Sequence, residues 1–235
     1  MAALSKTEVP TTGASPANGS TTRSRWARWE PLTGIGFVVL FVAGVLTSNS
    51  LNANDSNLKW LNYYASSGNQ IRLLVSGFLF VLASMCLVLF ITSLWSRIAA
   101  ARRPHATSPL PLVAAGVGAA GIALGGVFGA TVPGAMIFGQ LRLPSADILR
   151  LASNLSFPAI AVAGMFGVAL ALGGIAVQAH RAGLFGRRFA IIGVVVGVIT
   201  IFSFAFFPMA ATVIWFLVVS IMLLRRYGRD VALAA

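Results

Sequence analysis

The chain has 235 residues, of which 57% are hydrophobic and only 9% are charged. An ordinary soluble domain has about 25% charged residues, because its surface meets water. The composition therefore excludes an ordinary soluble domain and predicts that most of the surface meets lipid. Seventeen basic and five acidic residues give a net charge of +12. The basic residues lie at the ends of apolar runs, so membrane topology accounts for them and nucleic-acid binding is not expected.

The first 24 residues are mostly Ser, Thr, Ala, Gly and Pro. They contain too few large apolar residues to form a core, so we predict a disordered cytoplasmic tail over residues 1–24. The stretch RSRWARWE that follows combines arginines with indole rings and suits the lipid headgroup layer. Basic residues ahead of an apolar run also fit a secretory signal peptide. No small-residue cleavage site follows cleanly, and we expect a retained first helix.

Apolar runs of transmembrane length follow along the chain. A helix needs about 20 apolar residues to cross a hydrocarbon core about 30 Å thick. The last tract, residues 189–224, would measure roughly 54 Å as one helix. Pro208 favours dividing it, because a proline in the first turn of a helix loses no hydrogen bond. We predict one all-α domain over residues 25–230, a polytopic membrane helical bundle with six spans at about 32–48, 71–95, 110–132, 151–179, 189–207 and 208–224.

Arginines at the helix ends predict the orientation of this bundle. With six spans, one face of the membrane carries four clusters: Arg23, Arg25 and Arg28; Arg97, Arg102 and Arg103; Arg181, Arg187 and Arg188; Arg225, Arg226 and Arg229. The other face has only Lys59, Arg72, Arg142 and Arg150. Since cytoplasmic segments carry the excess of basic residues, both termini are predicted in the cytoplasm. The Ala, Gly, Val and Arg bias favours a bacterial cytoplasmic membrane, and a five-span arrangement would place the last cluster outside.

Two outer loops contain residues that often begin helices. Asp55 or Ser56 is placed to cap a short interfacial helix between the first and second spans, because a side-chain oxygen there accepts from a free first-turn amide. Ser145 is placed to cap the helix that becomes the fourth span. Pro158 within that span, preceded by Asn154 and Ser156, predicts a kink that frees a main-chain carbonyl near the outer side.

Glycines recur at helical spacing in two predicted spans. Gly121, Gly125 and Gly129 lie on one face of the third span, and Gly193 and Gly197 lie on one face of the fifth. Helices associate in lipid largely through close packing, and a glycine stripe lets two backbones approach each other. We interpret both stripes as helix-packing faces within the chain, with homodimerisation as the alternative.

The sequence offers little chemistry inside the membrane. No Asp, Glu, Lys or Arg lies near the middle of any predicted span, which disfavours a proton-coupled carrier, since such carriers keep ionisable residues there. Motifs of zinc proteases, serine hydrolases and phosphate-binding loops do not occur. The single cysteine, Cys86, and the two histidines, His105 and His180, do not form a metal-ligand set. We expect no metal and no cofactor, and the sequence leans against an enzyme.

The remaining polar candidates converge on the outer membrane boundary in this topology. Arg72 and Arg150 each lie near a helix N-terminus, where the helix dipole disfavours a cation, so each needs another partner such as a carboxylate or a lipid phosphate. The alternative is that both side chains extend to the headgroups and anchor their helices. The predicted ligand-binding set is Asp55, Tyr64, Arg72, Asp147, Arg150 and Asn154.

One stretch carries a resemblance to known proteins. The segment NYYASSGNQIRLLVSGFLFVLASMCLVLFITSLW has a polar outer loop, an Asn-x-x-Arg-Leu motif at Asn69 to Leu73, and a long apolar span that ends in an aromatic and a basic residue. It resembles a bacterial family of six-helix integral membrane proteins of unknown function, mainly over residues 55–100. The resemblance implies the helix count and transfers no activity or catalytic residue.

Three roles follow as expectations. The first is a non-enzymatic scaffold or partner subunit, whose associations would be the lipid bilayer and a homodimer or a partner membrane protein. The second is a small carrier or sensor that binds an anionic lipid headgroup or small anion at its outer face. The third and weakest is an intramembrane enzyme that modifies lipid.

Overall fold

The computed structural model describes residues 30–48, 51–101, 107–203 and 207–232, without the side chains of residues 30 and 226–232. The predicted tail over residues 1–24 lies outside the described residues. So do several predicted topology residues, namely Arg23, Arg25, Arg28, Arg102 and Arg103, and also His105. Within the described part, the backbone forms helices joined by short loops and no strand. The predicted all-α class is confirmed.

The described residues form eight α-helices and one π-helical segment. They are α1 (Glu30–Thr47), α2 (Asn57–Ala65), α3 (Ser67–Ala101), α4 (Leu110–Phe138), α5 (Ala146–Pro158), α6 (Met165–Arg181), α7 (Arg187–Thr200) and α8 (Phe207–Ala232). The π-helical segment Ala159–Gly164 joins α5 to α6, so the two form one long, interrupted helix.

Among the described residues, four helical stretches are long and apolar enough to cross a membrane: Ser67–Ala101, Leu110–Phe138, Ala146–Arg181 and Phe207–Arg225. The apolar helix Pro31–Thr47 is shorter, and α7 has 14 residues. The long last tract of the sequence is divided, since α7 ends at Thr200 and α8 begins at Phe207 with Pro208 in its first turn. Four candidate membrane-spanning helices are therefore established, and the count of six stays a prediction.

The apolar helices pack as a ring. Neighbouring pairs are α1 with α3, α3 with α4, α4 with α6, α6 with α7, α7 with α8, and α8 with α1. We call the end of this ring that carries α2 the cap end. Since α1 runs towards the cap end and α3 runs away from it, chain direction alternates around the ring. The helix termini with Arg97, Arg181, Arg187 and Arg225 consequently lie at the opposite end.

Aromatic side chains fill the middle of the ring and its half away from the cap. Phe37, Phe41, Phe90 and Phe216 are fully buried. The ring centroids of Phe37 and Phe216 are 4.8 Å apart, and those of Phe90 and Phe216 are 5.6 Å apart, both edge to face. Edge-to-face pairs bring the positive ring edge against the negative ring face. This half of the bundle is a packed aromatic core.

The glycine stripes face helices of the same chain. A Cβ built at Gly121 would collide with the main chain of Gly164, and one built at Gly125 would lie 2.8 Å from the carbonyl oxygen of Ser156. The other glycines of the two stripes also have neighbours in the same chain. Gly129 lies beside Ser156, Gly193 beside Ala176 and Gly197 beside Ala169. Close backbone approach therefore joins α4 to the α5–α6 helix and α7 to α6.

Local residues account for the helix ends. After α6, Gly183 has a φ of +73°, and the Leu184 amide donates to the Ala179 carbonyl at 2.9 Å. This left-handed C-terminal turn requires a residue without a Cβ. Ser56 caps α2 by accepting from the Lys59 amide at 3.3 Å, as one predicted alternative required. Ser145 occupies the N-cap position of α5, but its side chain makes no capping hydrogen bond.

Candidate functional site

The short helix α2 lies over one end of the ring and is held there by buried aromatic rings. Trp60 is 1% exposed and Tyr64 is 2% exposed. They pack in a cluster with Leu73 of α3, Val132 of α4, and Ala146 and Leu149 of α5. We call residues 51–66 the cap, because they cover three helices of the ring at this end.

Side-chain amides attach the end of the cap helix to the start of α3. The Asn69 carboxamide donates to the Tyr63 carbonyl at 3.0 Å, and the Gln70 carboxamide donates to the Tyr64 carbonyl at 2.7 Å. Both acceptors belong to the last turn of α2, where carbonyls have no partner within the helix. The turn between α2 and α3 is consequently tight and polar.

Asp55 closes the loop that precedes α2. Its carboxylate accepts from the Asn52 amide at 2.9 Å and from the Lys59 ammonium at 2.9 Å. The hydrogen bond from Lys59, followed by that from Asn52, lowers the pKa of Asp55. Hydrogen bonds to the charged form favour it, so this carboxylate is ionised at neutral pH and already has two donors.

Arg150 reaches from α5 to the cap. One guanidinium nitrogen donates to the Asp55 carbonyl, another lies 3.4 Å from the Asp147 carboxylate, and the guanidinium carbon is 6.0 Å from the centroid of the Trp60 ring. The Arg150 side chain is 23% exposed, whereas that of Asp147 is 87% exposed. The exposed ion pair contributes little, so the carbonyl and the indole are the main partners.

Arg72 binds the end of α1 and not the cap. Its Nε donates to the Thr47 carbonyl at 3.2 Å and its Nη2 donates to the Leu46 carbonyl at 2.9 Å. These carbonyls end α1, where the helix dipole favours a cation. The helix dipole of α3 disfavours a cation at the position of Arg72. The carbonyls at the end of α1 compensate, because they bind the guanidinium group.

The predicted ligand-binding set thus divides into separate groups. Asp55, Asp147 and Arg150 come together at the junction of the cap and α5, while Arg72 binds the end of α1. The two arginines do not converge on one anion. Tyr64 and Asn154 instead line a cavity beneath the cap.

The cavity has a volume of about 390 Å³ and lies in the cap half of the ring. Ligand pockets for small molecules commonly have volumes of roughly 300–1,000 Å³. Its wall is built by α1, α3, α4, α5 and the cap, with one residue of α8. The lining includes Val45, Ser48, Asn52, Tyr64, Leu73, Ser76, Phe80, Gly125, Gly129, Ser153, Asn154, Ser156, Phe157, Ile160 and Met209.

The described lining residues carry hydroxyls and the carboxamides of Asn52 and Asn154, but no charged side chain. Burial raises the pKa of Tyr64 to about 12, so its phenol stays neutral. Ser76 donates to the Gly44 carbonyl at 2.8 Å and Ser156 donates to the Gly125 carbonyl at 2.7 Å. These two hydroxyls are used in helix packing. Tyr64 is the one titratable side chain among the described wall residues.

Pro158 disturbs the helix at the side of the cavity. A proline has no amide hydrogen, so the carbonyl of Asn154, four residues earlier, loses its helical partner. The π-helical segment Ala159–Gly164 follows directly, and π turns often occur where a helix serves a function. The helix is therefore irregular directly after Pro158, beside the cavity, and the kink itself stays a prediction.

Sequence reasoning did not find Trp60, Ser76 or the cavity itself. Trp60 falls on the buried face of α2, and its contact with Arg150 joins residues 90 positions apart. A cavity has no residue signature, because it is the space that packed helices leave. Among the described residues, no group of three or more His, Cys, Asp or Glu is placed to hold a metal ion.

Comparison with protein-family models, with curated proteins and with solved structures found no match. The resemblance to a bacterial six-helix family accordingly stays a prediction.

Proposed function

We propose that the protein is a non-enzymatic, six-span protein of the bacterial cytoplasmic membrane, with both termini in the cytoplasm, that works as a small carrier or sensor. The observation that carries the role is the uncharged cavity beneath the cap. It has the size of a ligand site and a mixed polar and apolar lining, and Tyr64 is the one titratable group among its described lining residues.

The ring of helices supports the six-span topology. The four long apolar helices are joined in the ring by α1 and α7. With 18 and 14 residues, these two measure roughly 27 Å and 21 Å, so α7 needs the residues after Thr200 to complete a crossing. Arg97, Arg181 and Arg187 lie at the end opposite the cap, which supports a cytoplasmic position for that end.

Reporter fusions test this orientation. We expect green fluorescent protein fused after Arg229 to fluoresce and alkaline phosphatase at the same position to be inactive, because phosphatase needs an oxidising periplasm. Both readouts should reverse for fusions after Leu141, in the loop before α5. An active phosphatase after Arg229 would overturn the six-span topology and leave the cavity proposal to be judged separately.

Native mass spectrometry tests the binding role. When the protein is released gently from its own membrane, we expect a species heavier than the 24.6 kDa polypeptide by the mass of one small molecule. That molecule should leave on activation in the gas phase. A polypeptide mass without an adduct, together with a stoichiometric complex with a second protein, would contradict the carrier or sensor role.

That contrary result would favour the scaffold or partner subunit as a second candidate function. Its support is the paired state of the buried hydroxyls that join α7 to α8. The hydroxyls of Thr200 in α7 and Thr212 in α8 lie 2.6 Å apart. A hydrogen bond of this kind holds two membrane helices together.

A further inference from the structure

The deepest part of the cavity is apolar, whereas polar and apolar side chains mix nearer the cap. Ser48, Asn52 and Tyr64 lie at its cap end, in the cap or at the last turn of α1. Phe80 lies 13 residues inside α3 and Ile160 lies 14 residues after the start of α5, roughly 20 Å deeper. In the proposed topology this order matches a lipid of the outer leaflet, whose polar group faces out and whose chain points inward.

We propose that the cavity binds a neutral, hydroxyl-bearing lipid with the chemistry of a diacylglycerol. This inference rests on the proposed function, since it names the ligand class for the same cavity. The ligand's hydroxyl lies near Asn154, and its acyl chain extends deeper, against Phe80 and Ile160.

The absence of charged side chains from the described wall favours a neutral headgroup. No residue of the wall is charged, and the two nearby guanidinium groups already donate to main-chain carbonyls, Arg72 to those of α1 and Arg150 to that of Asp55. A phosphate enclosed in an apolar bundle without a paired cation is strongly disfavoured. A neutral headgroup carries no such cost.

The hydrogen-bonding groups favour a hydroxyl. Asn154 lines the cavity with a carboxamide, which both donates and accepts. Pro158 has no amide hydrogen to donate to the main-chain carbonyl of Asn154, so this carbonyl lacks its usual helical donor. A ligand hydroxyl can donate to that carbonyl and has lone pairs for the carboxamide. A simple hydrocarbon can bond to neither group.

The cavity opens towards lipid beside α5. Among the described residues, this helix packs mainly on α4 and α2, so its opposite side makes fewer contacts with the ring. Two of the wall residues that α5 contributes are exposed: Asn154 and Phe157, the latter 38% exposed. A lipid can therefore reach the cavity sideways, without crossing the cap.

Photolabelling in nanodiscs tests the proposal. The protein is placed in phosphatidylcholine nanodiscs with a diacylglycerol that carries a diazirine in one acyl chain, and labelled peptides are mapped by mass spectrometry. We expect labels on the cavity peptides 73–80, 125–129 and 153–160. Unlabelled diacylglycerol should compete for these sites, and an equal amount of phosphatidylglycerol should not.

Two variants of neighbouring residues provide the control. Asn154→Trp blocks the opening and is expected to lower the competed labelling about tenfold, which corresponds to about 1.4 kcal/mol. Leu155→Trp introduces the same ring one position along, on a side chain that is 47% exposed and outside the cavity wall. The competed labelling of Leu155→Trp should equal that of the wild type. Both variants are first checked for an unchanged elution volume and unfolding temperature.

The outcomes separate the ligand class from the binding role. Cavity labelling by a diazirine phosphatidylglycerol, with competition between the two lipids, would overturn the neutral class and keep the carrier or sensor role. No competed labelling of the cavity by either probe would overturn both. Equal labelling of Asn154→Trp and wild-type protein would show that the label reports surrounding lipid and would also overturn the proposal.

Discussion

Replacement of Gly121 by alanine is expected to destabilise the bundle more than the same change elsewhere in α4. The added Cβ would lie 2.7 Å from the carbonyl carbon of Ala163 and from Cα of Gly164. Both contacts are with main-chain atoms, which cannot rotate away as a side chain can. Overpacking of this kind costs about 1–3 kcal/mol and more where the backbone is held on both sides. The measurement is the unfolding free energy in mixed micelles, titrated with a denaturing detergent.

The matched control lies five residues earlier in the same helix. A Cβ at Gly116 meets nothing within 4 Å, so Gly116→Ala is expected to be neutral or stabilising by about 0.5–1 kcal/mol, because alanine favours a helix over glycine. Gly167→Ala should behave like Gly121→Ala, since its Cβ would lie 2.6 Å from Cα of Gly118. Equal stability of Gly121→Ala and Gly116→Ala would contradict the close crossing of α4 and the α5–α6 helix.

The same pair of variants tests whether the glycine stripe packs against a helix of its own chain or against a second copy of the protein. If Gly121 served a homodimer, its replacement would weaken the dimer and leave the unfolding of the monomer unchanged. Because its space is occupied by Gly164 of the same chain, we expect the opposite pattern. Analytical ultracentrifugation of Gly121→Ala alongside the unfolding curve distinguishes the two.

Much of the fold was predictable because lipid imposes simple demands on sequence. Apolar runs indicated where helices lie, and Pro208 indicated where the last tract divides. The boundaries were less accurate. For α3, an apolar run at 71–95 was predicted, but the helix begins at Ser67 and ends at Ala101. Its first turn is polar because Asn69 and Gln70 bond back to α2, and apolarity alone does not reveal such a turn.

The candidate site was less predictable, because its contacts join distant parts of the chain. The helix dipole argument correctly required partners for Arg72 and Arg150, but it suggested carboxylates or lipid phosphates. The main partners are carbonyls of Leu46, Thr47 and Asp55. Every residue has a carbonyl, so a sequence gives no sign of which one an arginine will bind. The cavity is less visible still, since it depends on how six helices leave space together.

Replacement of Arg150 by glutamine is expected to loosen the cap while the ring of helices stays folded. The change removes a charged donor from the Asp55 carbonyl and a cation from the face of Trp60. A hydrogen bond to a charged group contributes about 1.5–3 kcal/mol, and a cation–π contact about 0.5–1 kcal/mol at an exposed site. Hydrogen–deuterium exchange of peptides over residues 51–66 should become at least severalfold faster, with peptides from α6 unchanged.

Arg142→Gln is the control for charge alone. Arg142 lies at the cap end and is exposed, so its replacement removes the same charge from the same face without touching the cap. We expect exchange over residues 51–66 to match the wild type. Equal exchange in Arg150→Gln and Arg142→Gln would mean that the buried rings of Trp60 and Tyr64 hold the cap without help. Faster exchange only in Arg150→Gln would mean that one guanidinium group links α5, which forms the side of the cavity, to the cap that covers it.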